Sequence, residues 1–482
     1  MATLPAIEQE KRGIQYWMER ALKECDRAAA GFEADPVHDL RVALRRCRSM
    51  AEGFRAIDPD PTWRKMRKAG KALFSALGEL RDVQVLRDWV EKLSASDDPV
   101  KHRLLDYCEA REKELKAQAA AAFAGFDADS WMQWAQVLDA RERHLSAGSD
   151  VFQVIAIENL EHAYRLHQAA LRNRSKVALH ALRIGLKRFR YLIENFLPEQ
   201  DERWSKDLKQ LQDILGEVHD LDVLWATALR LRSFTSAEER ERWRSAIGRE
   251  RAHRITTYRQ KLVGRNSLFL EWREGLLSGD RLRQAINRKF EIWAGFLDPH
   301  PAHAKRIVQG SLRIFDGLIN CGAMRNRAMQ QVELRDLLKI AALVHEVGRG
   351  AGKRKHHKRA LRMLEKLDVP PGWTAEHLRV VGMAARYHRG ALPFAHPAFM
   401  RLARSKRRIV ALIGGIIRLA EAIESAGTTA PGHILLERRN GYLVLHADGN
   451  SPAGKSFERI AARRYLLETA CGLPIMVSAE RE

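Results

Sequence analysis

Between residues 7 and 262 apolar residues recur at spacings of three and four, in a background rich in Ala, Leu, Arg, Lys and Glu and poor in proline. That period predicts amphipathic α-helices, and strand alternation is almost absent. Breaks such as "GFEADP", "AIDPDPTW", "ASDDP", "LPEQDE" and "SFTSAEE" punctuate the pattern and put Asp or Ser where helix caps belong. The prediction is a run of antiparallel helices forming a bundle or a pair of bundles. From about residue 266 to 426 the pattern stays helical but gains histidines and glycine-containing turns. "ILLERRNGYLVLHA" (434–447) then reads as two strands around an Asn-Gly turn, and a helix, "SFERIAARRYLLETA", and a short strand, "LPIMV", follow. The fold class expected is therefore mainly α with a small C-terminal β-hairpin.

One part of the pattern occurs twice. "VHDLRVALRRCRS" (37–49) matches "LHALRIGLKRFRY" (179–191), with His38 and His180 spaced 142 residues apart (180 − 38). "KMRKAGKALFSALGELRDVQVL" (65–86) matches "RWSKDLKQLQDILGEVHDLDVL" (203–224), now offset by 138 (219 − 81, Arg81 against His219). A four-residue difference in a connection accounts for the change. Two copies of one helical unit are expected, at about 7–125 and 150–262.

Charge sharpens the picture. The 482 residues carry 83 Lys and Arg against 61 Asp and Glu, a net charge of +22 with a pI near 10. Such an excess attracts polyanions. On a helix His38, Arg41, Arg45 and Arg48 fall on one stripe, and His180, Arg183, Lys187 and Arg190 repeat it. Leu40, Leu44 and Cys47, and Leu182, Leu186 and Phe189, make the matching apolar faces. Lys65, Lys68 and Lys71, with Arg203, Lys206 and Lys209, add a second pair of cationic rows. Burial does not require polar faces to repeat, so the duplication points to a ligand. Guanidinium forks and ammonium groups suit phosphate oxygens. Aromatics are 7% of the chain and do not alternate with the cations, which disfavours single-stranded nucleic acid. Five scattered cysteines predict a reducing compartment without disulfides. No apolar run is long enough to span a bilayer and no leader pattern opens the chain, so a cytoplasmic location away from membranes is expected.

The paired signatures "VHDLRVALRRCRS…ALGELRDVQVL" and "LHALRIGLKRFRY…ILGEVHDLDVL" resemble those of the CHAD domain, over about residues 7–262. The resemblance implies two pseudo-symmetric four-helix bundles with a basic groove that binds inorganic polyphosphate, and in some members recruitment to polyphosphate granules. By carry-over, His38, Arg41, Arg45, Arg46, Arg48, Lys68, Lys71 and Arg81 would line one half, with Lys65 in the adjoining row. His180, Arg183, Lys187, Arg188, Arg190, Lys206, Lys209 and His219 would line the other.

Residues 266–482 resemble the C-terminal, HD-like region of the Ppx/GppA phosphatases, through "EWREGLL", "HAKRIVQGSLRIFDGL", "DLLKIAALVHEVGRG", "HHKRALRML", "ARYHRGALP" and "IIRLAEAIES" in that order. An HD site needs His, a His-Asp pair and a late Asp around a divalent metal. Here the positions are His303, His345 with Glu346, and Glu421, so the motif is degenerate and neither a metal nor a cofactor is expected. The strand-rich catalytic head of those enzymes is absent from residues 1–265. The expected function is a polyphosphate-binding accessory or granule-associated scaffold without its own catalysis, with a second anion surface or an oligomerisation surface in the second half, where His356, His357 and His388 stand beside Lys355, Lys358, Arg386 and Arg389 as donors to phosphate. The alternative is an HD-type phosphohydrolase acting on polyphosphate or a phosphorylated nucleotide. "GNSPAGKS" (449–456) matches a P-loop pattern but follows a hairpin strand with only 26 residues left (482 − 456), and reads as a surface loop.

Overall fold

The computed structural model describes residues 13–145, 147–173, 175–265, 267–324, 328–352, 354–426, 434–447 and 455–478. The P-loop-like "GNSPAG" and Lys353 lie outside them. Among the described residues there are nineteen α-helices and one three-stranded sheet. The chain divides into two compact units, one holding residues 60–282 and nearly everything before them, the other residues 283–482. No helix among the described residues is long and apolar enough to cross a membrane.

The repeat is legible in helix lengths. α2 (Ala34–Phe54) and α7 (Lys176–Phe196) both have 21 residues. α3 (Pro61–Leu93) and α8 (Pro198–Arg230) both have 33, and α4 (Pro99–Ala124) and α9 (Ala237–Leu262) both have 26. α1 (Ile14–Ala29) packs on α2, and α6 (Asp150–Arg172) packs on α7. Each half is thus a four-helix bundle. Caps set the starts: the Asp60 side chain accepts from Thr62 N and Asp98 from Val100 N, each followed by Pro at the first helical position. Ser175 and Ser236 accept from Ala178 N and Glu239 N.

The first half has one extra helix, α5 (Ala128–Glu142), in the stretch between the two repeats expected from sequence. Trp131, fully buried, donates its indole N–H to Met18 O at 3.0 Å, and Glu142 accepts from Ile14 N at 2.6 Å. α5 therefore closes the open side of α1 and satisfies its first N–H. Burial pushes the Glu142 carboxyl up to about 7.

The halves meet through equivalent helices, α2 against α7 and α3 against α8. At the centre Phe54 and Phe196, themselves 142 residues apart (196 − 54), touch edge to face with ring centroids 5.2 Å apart. Trp63 stacks on Phe54 at 4.7 Å, and Phe152 stacks on Phe196 at 4.1 Å. Gly53 makes room for this cluster, since a Cβ there would overlap the Phe196 ring. Farther along, Leu80, Leu86 and Trp89 share one core with Leu221, Leu224 and Trp243.

α10 (Leu268–Glu274) belongs to this first unit, because Phe269 and Trp272 are buried in it. The compact unit therefore ends about twenty residues beyond the 262/266 boundary that composition suggests.

The second unit contains α12 (Pro301–Asn320), α13 (Ala328–Val344), α14 (His356–Leu364), α15 (Ala375–Arg386) and α17 (Arg404–Ser425) as its core, with α11 (Gly279–Leu297) leading in and the short α16 (Pro397–Met400) before α17. α12, α13 and α15 all pack on α17, whose buried run Val410–Ala420 includes no uncompensated charge, since Arg418 donates to three carbonyls. β1 (Ile434–Arg439) and β2 (Tyr442–Ala447) form the expected hairpin, with Gly441 at φ +94° in the turn. β3 (Ile475–Ser478) joins β2 in parallel, and α18 (Lys455–Ala461) and α19 (Tyr465–Cys471) lie between them in sequence.

Candidate functional site

Because α2 and α7 pair across the pseudo-symmetry, their basic stripes lie side by side. Lys187 of the second half is within electrostatic reach of Arg41, Arg45 and Arg48 of the first as well as its neighbour Arg183. Burial first, and then those cations, push its ammonium down to about 8. Asp82 interacts with Arg41 and Arg81 of its own half and with Arg183 and Lys187 of the other. Tyr191 lies under three cations, Arg45 at 5.3 Å, Lys187 at 5.7 Å and Arg190 at 5.8 Å from its ring centre. Phe74 likewise lies under Arg41 and Arg48. Spacing along the chain does not reveal that cations gather over these two rings; Tyr191 is the last residue of the second basic motif.

The cations are poorly compensated. No ion pair reaches Arg41, Arg45, Arg183, Lys187, Lys65, Lys68, Lys71, Arg81, Lys206 or Lys209 among the described residues. Arg41 Nη1, Arg45 Nε and Arg183 Nε are buried and have no hydrogen-bond acceptor. An unmet buried donor costs about 1–3 kcal/mol, and more when charged. Two carboxylates, Asp82 and its repeat partner Asp220, stand among them; burial lifts Asp220 to about 6 despite Arg183 and Arg81. His180 and His219 rings lie 4.8 Å apart. His38, Arg48, Lys65, Lys68, Lys71, Arg81, His180, Arg188, Lys206 and Lys209 are exposed.

Arg46 does not join this group. It pairs with Glu194, donates to Asn195 Oδ1 at 2.8 Å and lies over Trp17, so it ties α2 to α7. Arg48 is 3.9 Å from Glu52, and Arg190 donates to Gln212 Oε1 at 2.9 Å.

In the second unit the four degenerate HD positions converge. Ligand atoms of His303, His345, Glu346 and Glu421 all lie within 4.8 Å of one another, despite the longer glutamates. His345, Glu346, His356 and His388 are buried. His345 Nδ1 donates to Ala342 O at 2.6 Å and His388 Nδ1 to Ala385 O at 2.5 Å. His303 Nδ1 donates to Glu424 Oε1 at 3.1 Å. Each bond fixes the proton on Nδ1 and leaves an Nε2 lone pair facing inward. In the neutral ring His345 Nε2 would thus face Glu421 Oε1, 3.1 Å away, as a second acceptor; although burial opposes the charged form, the glutamates Glu421 and Glu346 raise the proton affinity of this imidazole. His388 Nε2 is 3.7 Å from the same oxygen, and His303 Nε2 is 4.0 Å from Glu346 Oε2. Facing acceptors require a proton or a cation between them, and the two imidazoles and two carboxylates of His303, His345, Glu346 and Glu421 fit a divalent transition metal. His388 and Glu424 carried no sequence signal for this, because only the tertiary fold brings them to α12 and α17.

Two family models match parts of the chain. Residues 14–229 match the family model for the CHAD domain, and residues 290–439 match that for Ppx/GppA phosphatase, domain III. No curated protein matches the chain. Among solved structures, the crystal structure of the CHAD domain from the plant Ricinus communis is similar at 22% identity, over 54% of this chain and 88% of its own, with a TM-score of 0.35. The chain joins a CHAD domain, which carries the paired basic stripes, to a Ppx/GppA domain III, which carries the histidine–glutamate cluster.

Proposed function

We propose that the chain binds inorganic polyphosphate in the groove between its two basic repeats and serves as an accessory, granule-associated scaffold. The observation that carries this reading is the set of buried guanidinium N–H groups on Arg41, Arg45 and Arg183 that have no acceptor. Phosphate oxygens would satisfy all three. A polymer of phosphates also suits a ligand surface with cations on both halves and no exposed stacking platform.

Lys187 supplies a test with a sign. Its depressed ammonium is charged below about pH 8 and neutral above. A polyanion binds the charged form, so affinity is full below that pH and declines as pH rises through it. Titration with long-chain polyphosphate from pH 7 to 9 should show this decline in the wild type. Lys187→Arg, charged throughout, should bind equally across the range; an unchanged decline would remove Lys187 from the groove.

A second reading rests on the convergence of His303, His345, Glu346 and Glu421. These residues would hold a divalent cation, which when bound supplies Lewis acidity toward a phosphoryl oxygen. The Nδ1 bonds to Ala342, Ala385 and Glu424 orient the rings for it. Equilibrium dialysis with Mn²⁺ or Zn²⁺ should find one ion per chain, and His345→Ala should weaken it on the order of 100-fold. Metal-dependent phosphate release from polyphosphate would make this unit catalytic. Absence of bound metal would leave protonation of His345 as the way the cluster is balanced.

A further inference from the structure

We propose a second oxyanion site, in the Ppx/GppA unit: a cavity of about 200 Å³ lined by Lys355, His357, Lys358, Arg386, Arg389 and His396 that binds one phosphate-type group. The volume equals that of about six or seven liquid waters, room for a phosphate tetrahedron and part of its shell. Four of the eight lining residues, Lys355, Lys358, Arg386 and Arg389, are permanent cations. None of Lys355, Lys358, Arg386 and Arg389 has a carboxylate partner among the described residues. Cations gathered around a concave surface without a counter-charge repel one another, and an anion removes that repulsion.

Two further observations point to a ligand. Tyr387 also lines the cavity and is 1% exposed, yet its hydroxyl has no hydrogen-bond partner. His396 Nδ1 is likewise buried and unpartnered, and its ring stacks on Tyr387 at 5.5 Å. Besides these, α14 begins here: Lys355 is its N-cap, and no side chain caps the first turn, so its N–H groups and dipole face the same region as Lys355, His357 and Lys358.

The site is held rigidly. Buried Arg418 on α17 donates to Tyr387 O at 2.5 Å, Gly390 O at 2.8 Å and Ala391 O at 3.2 Å. This clamp fixes the turn that carries Arg389 and follows Arg386. Gly390, at φ +79°, lets the turn close, and a Cβ there would lie 3.7 Å from His357 Nε2. The backbone that carries Arg386 and Arg389 is therefore set before any ligand arrives, which lowers the ordering cost of binding. A free phosphate and the terminal group of a phosphate chain share this chemistry.

Hydrogen–deuterium exchange of the full-length chain tests the site, with orthophosphate and inorganic triphosphate as probes and chloride at matched ionic strength as the control. Orthophosphate should slow exchange saturably at residues 355–359 and 386–391. Arg386→Gln with Arg389→Gln should need about tenfold more phosphate or higher. Lys358→Gln, at an exposed position, gives the same direction of change without risk to folding, which the melting temperature checks. Protection by triphosphate at lower concentration than orthophosphate would assign the site to chain ends; protection by orthophosphate alone would assign it to free phosphate. Arg41→Gln with Arg183→Gln should leave this protection intact, which separates the site from the CHAD groove. No saturable protection by either probe, or equal protection in the Arg386/Arg389 variant, would overturn the proposal.

Discussion

Replacing Arg41 and Arg183 together by Gln should weaken binding of long-chain polyphosphate roughly 100-fold at low salt. The magnitude follows from two missing charge-assisted hydrogen-bonding groups at about 1.5–3 kcal/mol each, discounted because both side chains keep some contact with solvent. Ion release adds a second signature. The salt dependence should fall by about 0.7 in slope for each phosphate no longer neutralised, thus by about 1.4 for the pair. Stability should move the other way or not at all. Both guanidiniums carry buried N–H groups without acceptors, so the uncomplexed chain loses little when they go. Urea unfolding and polyphosphate titration of the same variant separate the two effects. A variant that binds normally, or one that loses binding only because it unfolds, would contradict the assignment.

Phe54→Ala should destabilise the first unit by about 3–5 kcal/mol. Phe54 is 1% exposed and touches Trp63, Phe152 and Phe196. Those rings come from both repeats, so the cavity opens where the repeats meet and cannot be filled by one half alone. Phe196→Ala, the pseudo-symmetric change, should cost a similar amount. Phe32→Ala is the contrast, because Phe32 is partly exposed and meets only the Phe123 ring among the described aromatic residues. Urea denaturation measures all three. A loss below about 1 kcal/mol for Phe54→Ala would mean that the bundles hold without this cluster. The same variant should also bind polyphosphate more weakly, since the groove is built by the two helices the cluster ties together.

Much of this was written in the local sequence. The stripes through Arg41 and Arg183 were legible because helical spacing fixes a face before any packing is known. Asp60, Asp98 and Ser236 were legible as caps because a short side chain beside a helical run has one local use. The fate of Arg46 was not. It stands one residue after Arg45, about 100° around the helix, where the second half supplies Glu194 and Asn195. Only the docking of α2 on α7 decides that. Tyr191 was in plain view but has meaning only once cations from both repeats gather over it.

The histidine–glutamate cluster gives the sharper lesson. A glutamate at an aspartate position adds a methylene, and from sequence that displaces a carboxylate. The fold answers with backbone placement: Glu346 follows α13 just before a short 3-10 turn (Val347–Arg349), and Glu421 lies on α17, so both carboxylates still reach His345 and His303. Glu424 and His388 lie in two of the quoted segments, "IIRLAEAIES" and "ARYHRGALP", but nothing in their spacing joins them to His303 and His345. Similarly, the boundary between units lies beyond α10 because Phe269 and Trp272 pack into the CHAD unit, a matter of burial that a change in composition does not report.

The measurement that bears most directly on the groove is equilibrium titration of the full chain with long-chain polyphosphate at two salt concentrations, with RNA as competitor and free phosphate followed throughout. The groove reading predicts tight, steeply salt-dependent binding that RNA does not displace at moderate salt, with no phosphate released. Binding that RNA displaces as readily as polyphosphate, or no preferential binding of polyphosphate, would contradict it.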